Sequence, residues 1–219
     1  MYPIFLHLKQ IPCLVVGAGV VAQRRIFSLL EQEADVTVLA PEPIPLPLQH
    51  QPLRYIQAVY ANGFLKDRKL IFAATNDIQL NKTIVREAQE RGILVSSVTD
   101  GITTDFSVPA HTTTGNLTAA ISTNGDSPSL AAAICREVTP ILSAYEPLCS
   151  LQVQIREEWK EWIFDTKKRK QLLSSLSTPE ALACYQEQGT SAYLNHIKNP
   201  CRTAIVTVSV GTRERKEEE

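Results

Sequence analysis

The chain has no excess of charge: 22 basic residues face 23 acidic ones, a formal net charge of −1. No global field therefore draws it to nucleic acid or to an anionic membrane. No apolar run approaches the roughly 20 residues needed to cross a bilayer. The start, Met1-Tyr-Pro-Ile-Phe-Leu-His-Leu-Lys-Gln10, lacks the basic lead and long apolar stretch of a secretion signal. The five cysteines (Cys13, Cys135, Cys149, Cys184 and Cys201) are odd in number, and no two stand as Cys-x-x-Cys. Reduced thiols in a cytoplasmic protein are expected. The four histidines show no paired spacing, and no His/Cys cluster points to a tightly held metal. There is no G-x-S-x-G elbow, no Walker A sequence and no Tyr-x-x-x-Lys pair of the short-chain dehydrogenase kind.

What is present begins at Ile11. A short apolar run, Cys13 to Val16, meets Gly17-Ala-Gly-Val-Val-Ala22 and then a helix-like segment, about Val20 to Glu31. This is the G-x-G-x-x-G/A pattern with a strand before it and a helix after it. Gly17 permits the tight turn, Gly19 lets a pyrophosphate approach the backbone, and Ala22 lets helix and strand pack closely. The free N–H groups of Val20, Val21 and Ala22 at a helix N-terminus favour an anion. A nicotinamide dinucleotide is the expected ligand.

Strand and helix alternate through the first half. Asp35–Ala40, Arg54–Ala58, Lys69–Ala74 and Ile93–Ser97 read as strands, and Ile78 to Arg91 as a helix closed by Gly92. Pro41-Glu-Pro-Ile-Pro-Leu-Pro47 is expected to hold no regular element. The pattern predicts a parallel sheet covered on both faces. Beyond it, Phe106–Ala110 and Leu117–Ser122 are expected to pair around a turn at Gly115-Asn116. A helix from Ser129 to about Leu142, bent near Pro140, is followed by a long one from Ser150 to Ser175 and shorter ones from Pro179 to Ile197. Thr203–Val210 has strand composition before a charged end. Boundaries are placed near Thr112 and Pro147, which gives segments 1–112, 113–147 and 148–219.

Three loops after strand ends should line the crevice where such sheets bind ligands: Gly17–Ala22, Thr75–Asp77 and Thr99–Gly101. Thr75 and Asn76 suit hydrogen bonds to nicotinamide or ribose. Asp100 offers a carboxylate able to take protons in a partly desolvated site, although an aspartate before Gly101 is also an ordinary turn residue; Asp105 is a rival. Glu42, with Pro41 beside it, follows the second strand, where an acid meets the ribose hydroxyls. No Arg or Lys lies between Leu39 and Gln51 to hold a 2′-phosphate, so NAD is favoured over NADP. Ser127-Pro128 reads first as a helix cap.

Taken in order, Tyr2-Pro-Ile-Phe-Leu, Val16-Gly-Ala-Gly-Val-Val-Ala-Gln-Arg-Arg25, Val36-Thr-Val-Leu-Ala-Pro-Glu42, Ala73-Ala-Thr-Asn-Asp77, Val98-Thr-Asp100, Phe106-Ser-Val-Pro-Ala110 and Ala120-Ile-Ser-Thr-Asn-Gly-Asp-Ser-Pro-Ser-Leu-Ala131 resemble the precorrin-2 dehydrogenase / sirohydrochlorin ferrochelatase family, the dehydrogenase–chelatase part of siroheme synthase. The resemblance covers about residues 1–145 well and the helical part loosely. It implies an α/β, Rossmann-like parallel sheet with a central dimerisation segment and a small helical C-terminal domain. It implies NAD-dependent oxidation of precorrin-2 to sirohydrochlorin and, in some members, insertion of Fe²⁺ to give siroheme, by a homodimer. Asp100 matches the family aspartate proposed as base in both reactions, Ser127 a serine of the tetrapyrrole site, and Val20, Val21, Pro41 and Glu42 match NAD-contacting positions. The substrate carries many carboxylates, so Arg24, Arg25 and Arg136 are candidate cations. The loop His111-Thr-Thr-Thr-Gly115 is less basic than the resemblance leads one to expect. Two other readings share the fingerprint: an NAD-sensing regulatory module without chemistry, and a different small-molecule NAD oxidoreductase.

Overall fold

The computed structural model describes all residues except Asp100, Ile102 and 214–219; for Trp162 and residues 197–213 it describes the backbone alone. The chain divides into two compact units, Met1–Val108 and Pro109 onward. Among the described residues, no helix is long and apolar enough to cross a membrane.

The first unit contains strands β1 (Pro12–Val16), β2 (Asp35–Ala40), β3 (Arg54–Gln57), β4 (Leu70–Ala73) and β5 (Leu94–Ser97), with helices α1 (Val20–Glu31) and α2 (Ile78–Gln89). All neighbouring strands are parallel, in the order β3-β2-β1-β4-β5. The central strands bury both faces, so they read as near-continuous apolar runs. Cys13 and Val15 point to one face, where they meet Val36, Val38, Phe72 and Ala22, Ile26 and Leu29 of α1. Leu14 and Val16 point to the other, against Ile71, Ala73 and Ile84, Val85 and Ala88 of α2. Each fully buried valine, leucine or isoleucine among them contributes about 1.5–3 kcal/mol of burial free energy.

The proline segment differs from expectation. A 3₁₀ turn forms at Leu46–Leu48. Its first residues need no internal N–H partner, so Pro47 is tolerated there. Leu48, fully buried, anchors the turn to the α1 face of the sheet.

In the second unit β6 (Ala110–Thr114) pairs antiparallel with β7 (Leu117–Ile121). The turn stands at Gly115-Asn116 as expected, but β6 lies four residues later than the predicted Phe106 start. A two-residue turn sets Thr114 opposite Leu117 and so fixes which residues precede it. Phe106 instead packs edge-on against Phe72, ring centroids 5.5 Å apart, in the first unit. Helix α3 runs from Pro128 to Trp162 without a break at Pro140 or Pro147. Helix α4 (Thr166–Ser175) begins where Asp165 Oδ1 accepts from the N–H groups of Lys167 and Lys168, at 2.9 and 3.1 Å. The single helix expected over Ser150–Ser175 is therefore two. Helix α5 spans Pro179–Arg213, interrupted at Gly189 with φ +78°. It includes Thr203–Val210, whose β-branched composition had suggested a strand; propensity differences of a few tenths of a kcal/mol per residue do not overrule helical context. Leu148, Ile155, Leu176, Ala181 and Tyr193 form a small core, with Trp159 packed against it.

Candidate functional site

The strand order reverses between β1 and β4, and ligands of such sheets sit outside the strand ends at that point. A cavity of about 520 Å³ lies there. The fingerprint loop supplies Val16, Gly17, Ala18 and Gly19, the loop after β2 supplies Pro41, Glu42 and Pro45, and the loop after β4 supplies Ala74, Thr75, Asn76 and Asp77.

Gly17 has φ +109°, and a Cβ on it would collide with the Ala74 carbonyl. Its N–H donates to Leu39 O at 2.8 Å, and Ala74 N–H donates to Val16 O at 2.8 Å. The turn is thus clamped between β2 and β4, and only glycine fits. Gly19 contrasts with it: nothing lies within 4 Å of the place a Cβ would occupy. Gly19 is also the N-cap of α1 and provides no side-chain cap, and the first turn holds no acid. The N–H groups of the first turn are therefore available to an anion. Ala22 is fully buried against the sheet, whereas Val20 and Val21 stand 69% and 45% exposed at the helix start. Open space, uncapped donors and absent acids together fit a dinucleotide pyrophosphate.

The β2 loop is fastened through its backbone. Tyr55 Oη donates to Glu42 O at 2.8 Å and Gln57 Nε2 to Pro41 O at 3.3 Å. The Glu42 side chain is left exposed beside the cavity. Burial, then the charge of Glu42, raises the Tyr55 hydroxyl above its ordinary range. On the far side of that loop the cavity is walled by Ala58, Val59 and Tyr60. Tyr60 Oη donates to Glu87 Oε2 at 2.8 Å, and burial together with that bond holds its proton firmly.

The loop after β4 is tied to a residue that sequence reading missed. Asn81 of α2 is fully buried and bonds both Thr75 and Thr99. No sequence signal marked it, since spacing from the cap at Asp77 does not say which way a helical residue faces.

Residues 4–110 match a family model described as putative NAD(P)-binding. The siroheme synthases of Methylobacillus flagellatus and Psychromonas ingrahamii are each 34% identical, over 163 and 165 residues, or 73% and 74% of this chain and 35% of each relative. A solved structure titled SirC, precorrin-2 dehydrogenase superposes with a TM-score of 0.74 at 25% identity, covering 91% of this chain and all of that one. The chain belongs to the precorrin-2 dehydrogenase / sirohydrochlorin ferrochelatase family. It spans about a third of the length of the curated siroheme synthases it matches. Its Rossmann-like unit is that of a nicotinamide-cofactor protein.

Of the site residues expected from the sequence, Gly17, Gly19, Pro41, Glu42, Thr75 and Asn76 come together around this cavity. Arg24 is exposed on α1 outside the lining, and neighbouring Arg25 is half-buried, its cation disfavoured first by burial and then by Arg24. Asp100 lies outside the described residues. Asp105 is occupied elsewhere: its carboxylate accepts from Val95 N–H at 3.0 Å and Gln89 Nε2 at 3.2 Å, which closes the free edge of β5. Ser127 and Arg136 belong to the second unit. Ser127 holds the N-cap position of α3, yet its hydroxyl makes no cap bond; its N–H donates to Thr123 Oγ1 at 3.0 Å. Arg136 is exposed on α3. Among the described residues no group of three or more His, Cys, Asp or Glu is placed to hold a metal ion.

Proposed function

We propose that this chain is a cytoplasmic, homodimeric enzyme that oxidises precorrin-2 to sirohydrochlorin with NAD, and that the same site serves insertion of Fe²⁺ as a second substrate to give siroheme. The observation that carries the reading is a bare cradle at Gly19, with no acid in the first turn of α1, in a chain that matches a precorrin-2 dehydrogenase over 91% of its length.

NAD, when bound, supplies the hydride acceptor. The protein does the rest. Gly17, Gly19 and the N–H groups of Val20, Val21 and Ala22 hold the pyrophosphate against the start of α1. Glu42 accepts from the ribose hydroxyls and repels a 2′-phosphate, which favours NAD over NADP; Pro41 sets the backbone beside it. Thr75 and Asn76 orient the nicotinamide half. Dehydrogenation removes a hydride and a proton, and Asp100 takes the proton. Metal insertion displaces pyrrole N–H protons, for which the same carboxylate is the acceptor. Arg24, Ser127 and Arg136 are candidate partners for the substrate's carboxylates, and the segment 113–147, which follows the cofactor domain 1–112 and precedes the helical domain 148–219 in sequence, forms the dimer contact.

Purified protein mixed with precorrin-2 and NAD is expected to form NADH in step with the sirohydrochlorin spectrum; intact protein that forms none rules the reading out. Adding Fe²⁺ and following siroheme absorbance tests the second activity. Asp100→Ala should fold normally and lose about 10²–10⁴ in dehydrogenation, the usual worth of a positioned base. Unchanged turnover removes Asp100 from the mechanism.

A further inference from the structure

Asn81 is a carboxamide in the interior of α2, fully buried, in a position that a leucine would fill. An amide withdrawn from water costs several kcal/mol unless its hydrogen bonds are replaced. Here every one is replaced. Oδ1 accepts from the N–H of Thr75 at 3.2 Å and from its hydroxyl at 2.8 Å. Nδ2 donates to the Thr75 carbonyl at 2.9 Å and to Thr99 Oγ1 at 2.8 Å. The amide can point only one way, because the Thr75 N–H must meet an oxygen and the Thr75 carbonyl must meet an N–H.

The two threonines belong to different loops. Thr75 follows β4 and lines the cofactor cavity. Thr99 follows β5 and immediately precedes Asp100 in the chain. The strands pair up to Ala73 and Ser97, and one more bond, Val98 N–H to Ala73 O at 3.1 Å, extends the pairing. Past that bond Asn81 spans the two loops. Thr99 is braced from its own side too, its N–H donating to Ser97 Oγ at 3.1 Å. Thr75 in turn uses its hydroxyl to receive the Asp77 N–H at 3.2 Å, which fixes the start of α2 itself.

We propose that Asn81 is the positioning residue of this site: one side chain sets the cofactor loop through Thr75 and the approach to Asp100 through Thr99. The Thr99 half rests on the proposed role of Asp100; the Thr75 half does not. Asn81 touches neither cofactor nor substrate, and acts by fixing two backbones relative to each other.

The test uses the full chain, with NADH fluorescence titration, turnover with precorrin-2 and NAD, and thermal unfolding. Asn81→Asp keeps the acceptors for Thr75 but sets a second oxygen against the Thr75 carbonyl; it should weaken NADH about tenfold and lower kcat by at least as much, the worth of one or two buried hydrogen bonds. Thr99→Val should lower kcat about tenfold while NADH affinity and KM for NAD stay within about twofold, a split that simple loss of stability does not produce. The double variant should have the kcat of Asn81→Asp alone, because both changes act on the one bond between Asn81 and Thr99. Folded Asn81→Asp with unchanged NADH affinity and kcat overturns the proposal, and so do kcat losses that multiply in the double variant. Should Asn81→Asp fail to fold, Thr99→Val decides alone, and an unchanged kcat overturns it. Should the wild type form no NADH from precorrin-2, the functional reading falls and NADH affinity alone judges Asn81.

Discussion

In the unit from Met1 to Val108 every strand lies in one parallel sheet, and its buried side chains form two layers, one under α1 and one under α2. From Pro109 onward a hairpin of alternately half-buried residues accompanies long helices that share one small core. The first unit places its ligand-facing groups on backbone clamped by neighbouring strands. The second places Ser127 and Arg136 at the start and in the first half of one helix, on side chains exposed or half-buried. The difference teaches that the cofactor cradle is built into the backbone, whereas the second unit offers side chains. Cofactor affinity should then depend on backbone fit in the first unit and be indifferent to the helical core.

The largest effect is expected at Gly17. Gly17→Val drives a Cβ into the Ala74 carbonyl at φ +109°, and NADH affinity, read by fluorescence, should fall more than about a hundredfold with a marked loss of thermal stability. Normal binding by this variant breaks the comparison, since the clamp would not matter. Next comes Leu176→Ala, which empties a fully buried place in the helical core. It should cost about 2–5 kcal/mol in a urea titration yet leave NADH affinity within about twofold. Affinity that falls with it would mean the two units are not independent in this respect. Gly19→Ala is milder, because its Cβ meets no protein atom. Stability should change by less than about 1 kcal/mol, while NADH weakens about tenfold as the methyl enters the phosphate's space; an unaffected titration places the phosphate elsewhere.

The smallest effect vanishes at neutral pH. Burial first, and Asp35 second, push the Cys13 thiol up to about 11, from 9.0 when unperturbed. Between those values the unfolded chain releases a proton that the folded chain keeps, so stability falls as pH rises from about 9 toward 11 and is untouched below. Cys13→Ala should flatten that alkaline slope in urea midpoints taken across the interval. A slope identical to the wild type's would show that the tyrosine hydroxyls raised by burial, Tyr55, Tyr60 and Tyr193, carry the alkaline loss without Cys13.

How far the sequence could be read follows from how local each signal is. The turn at Gly17, the open approach at Gly19 and the packing at Ala22 need only neighbouring residues, and all three stand where the spacing put them. The helix start at Ile78 likewise stands where the sequence put it, and the structure adds that Asp77 caps it, accepting from the N–H groups two and three residues on at 2.8 and 3.1 Å. Asn81 was not legible, because a polar residue inside a helix normally faces water and its partner Thr99 is 18 positions away. Asp105 read as a possible base because its partner, the backbone of Val95, is invisible to spacing. The extent of β6 depends on β7, and the division between α3 and α4 depends on Asp165 finding two N–H groups in a stretch that looked uniformly helical.

The two prolines inside α3 bear on how that helix yields under load. Each lacks the N–H that would close a rung to the carbonyl four residues back, so the ladder has a gap at Arg136 and another at Ser143. Pro140 and Pro147 stand seven residues apart, close to two full turns, which puts both gaps on one side of the rod. That side is the exposed one, for both prolines face solvent. The helix nonetheless continues unbroken through both positions, so the missing rungs weaken one face of the rod without ending it. A helix of 35 residues, about 50 Å long, thus has its two missing rungs in line, and any bending of it is expected to be easiest in the plane through that face.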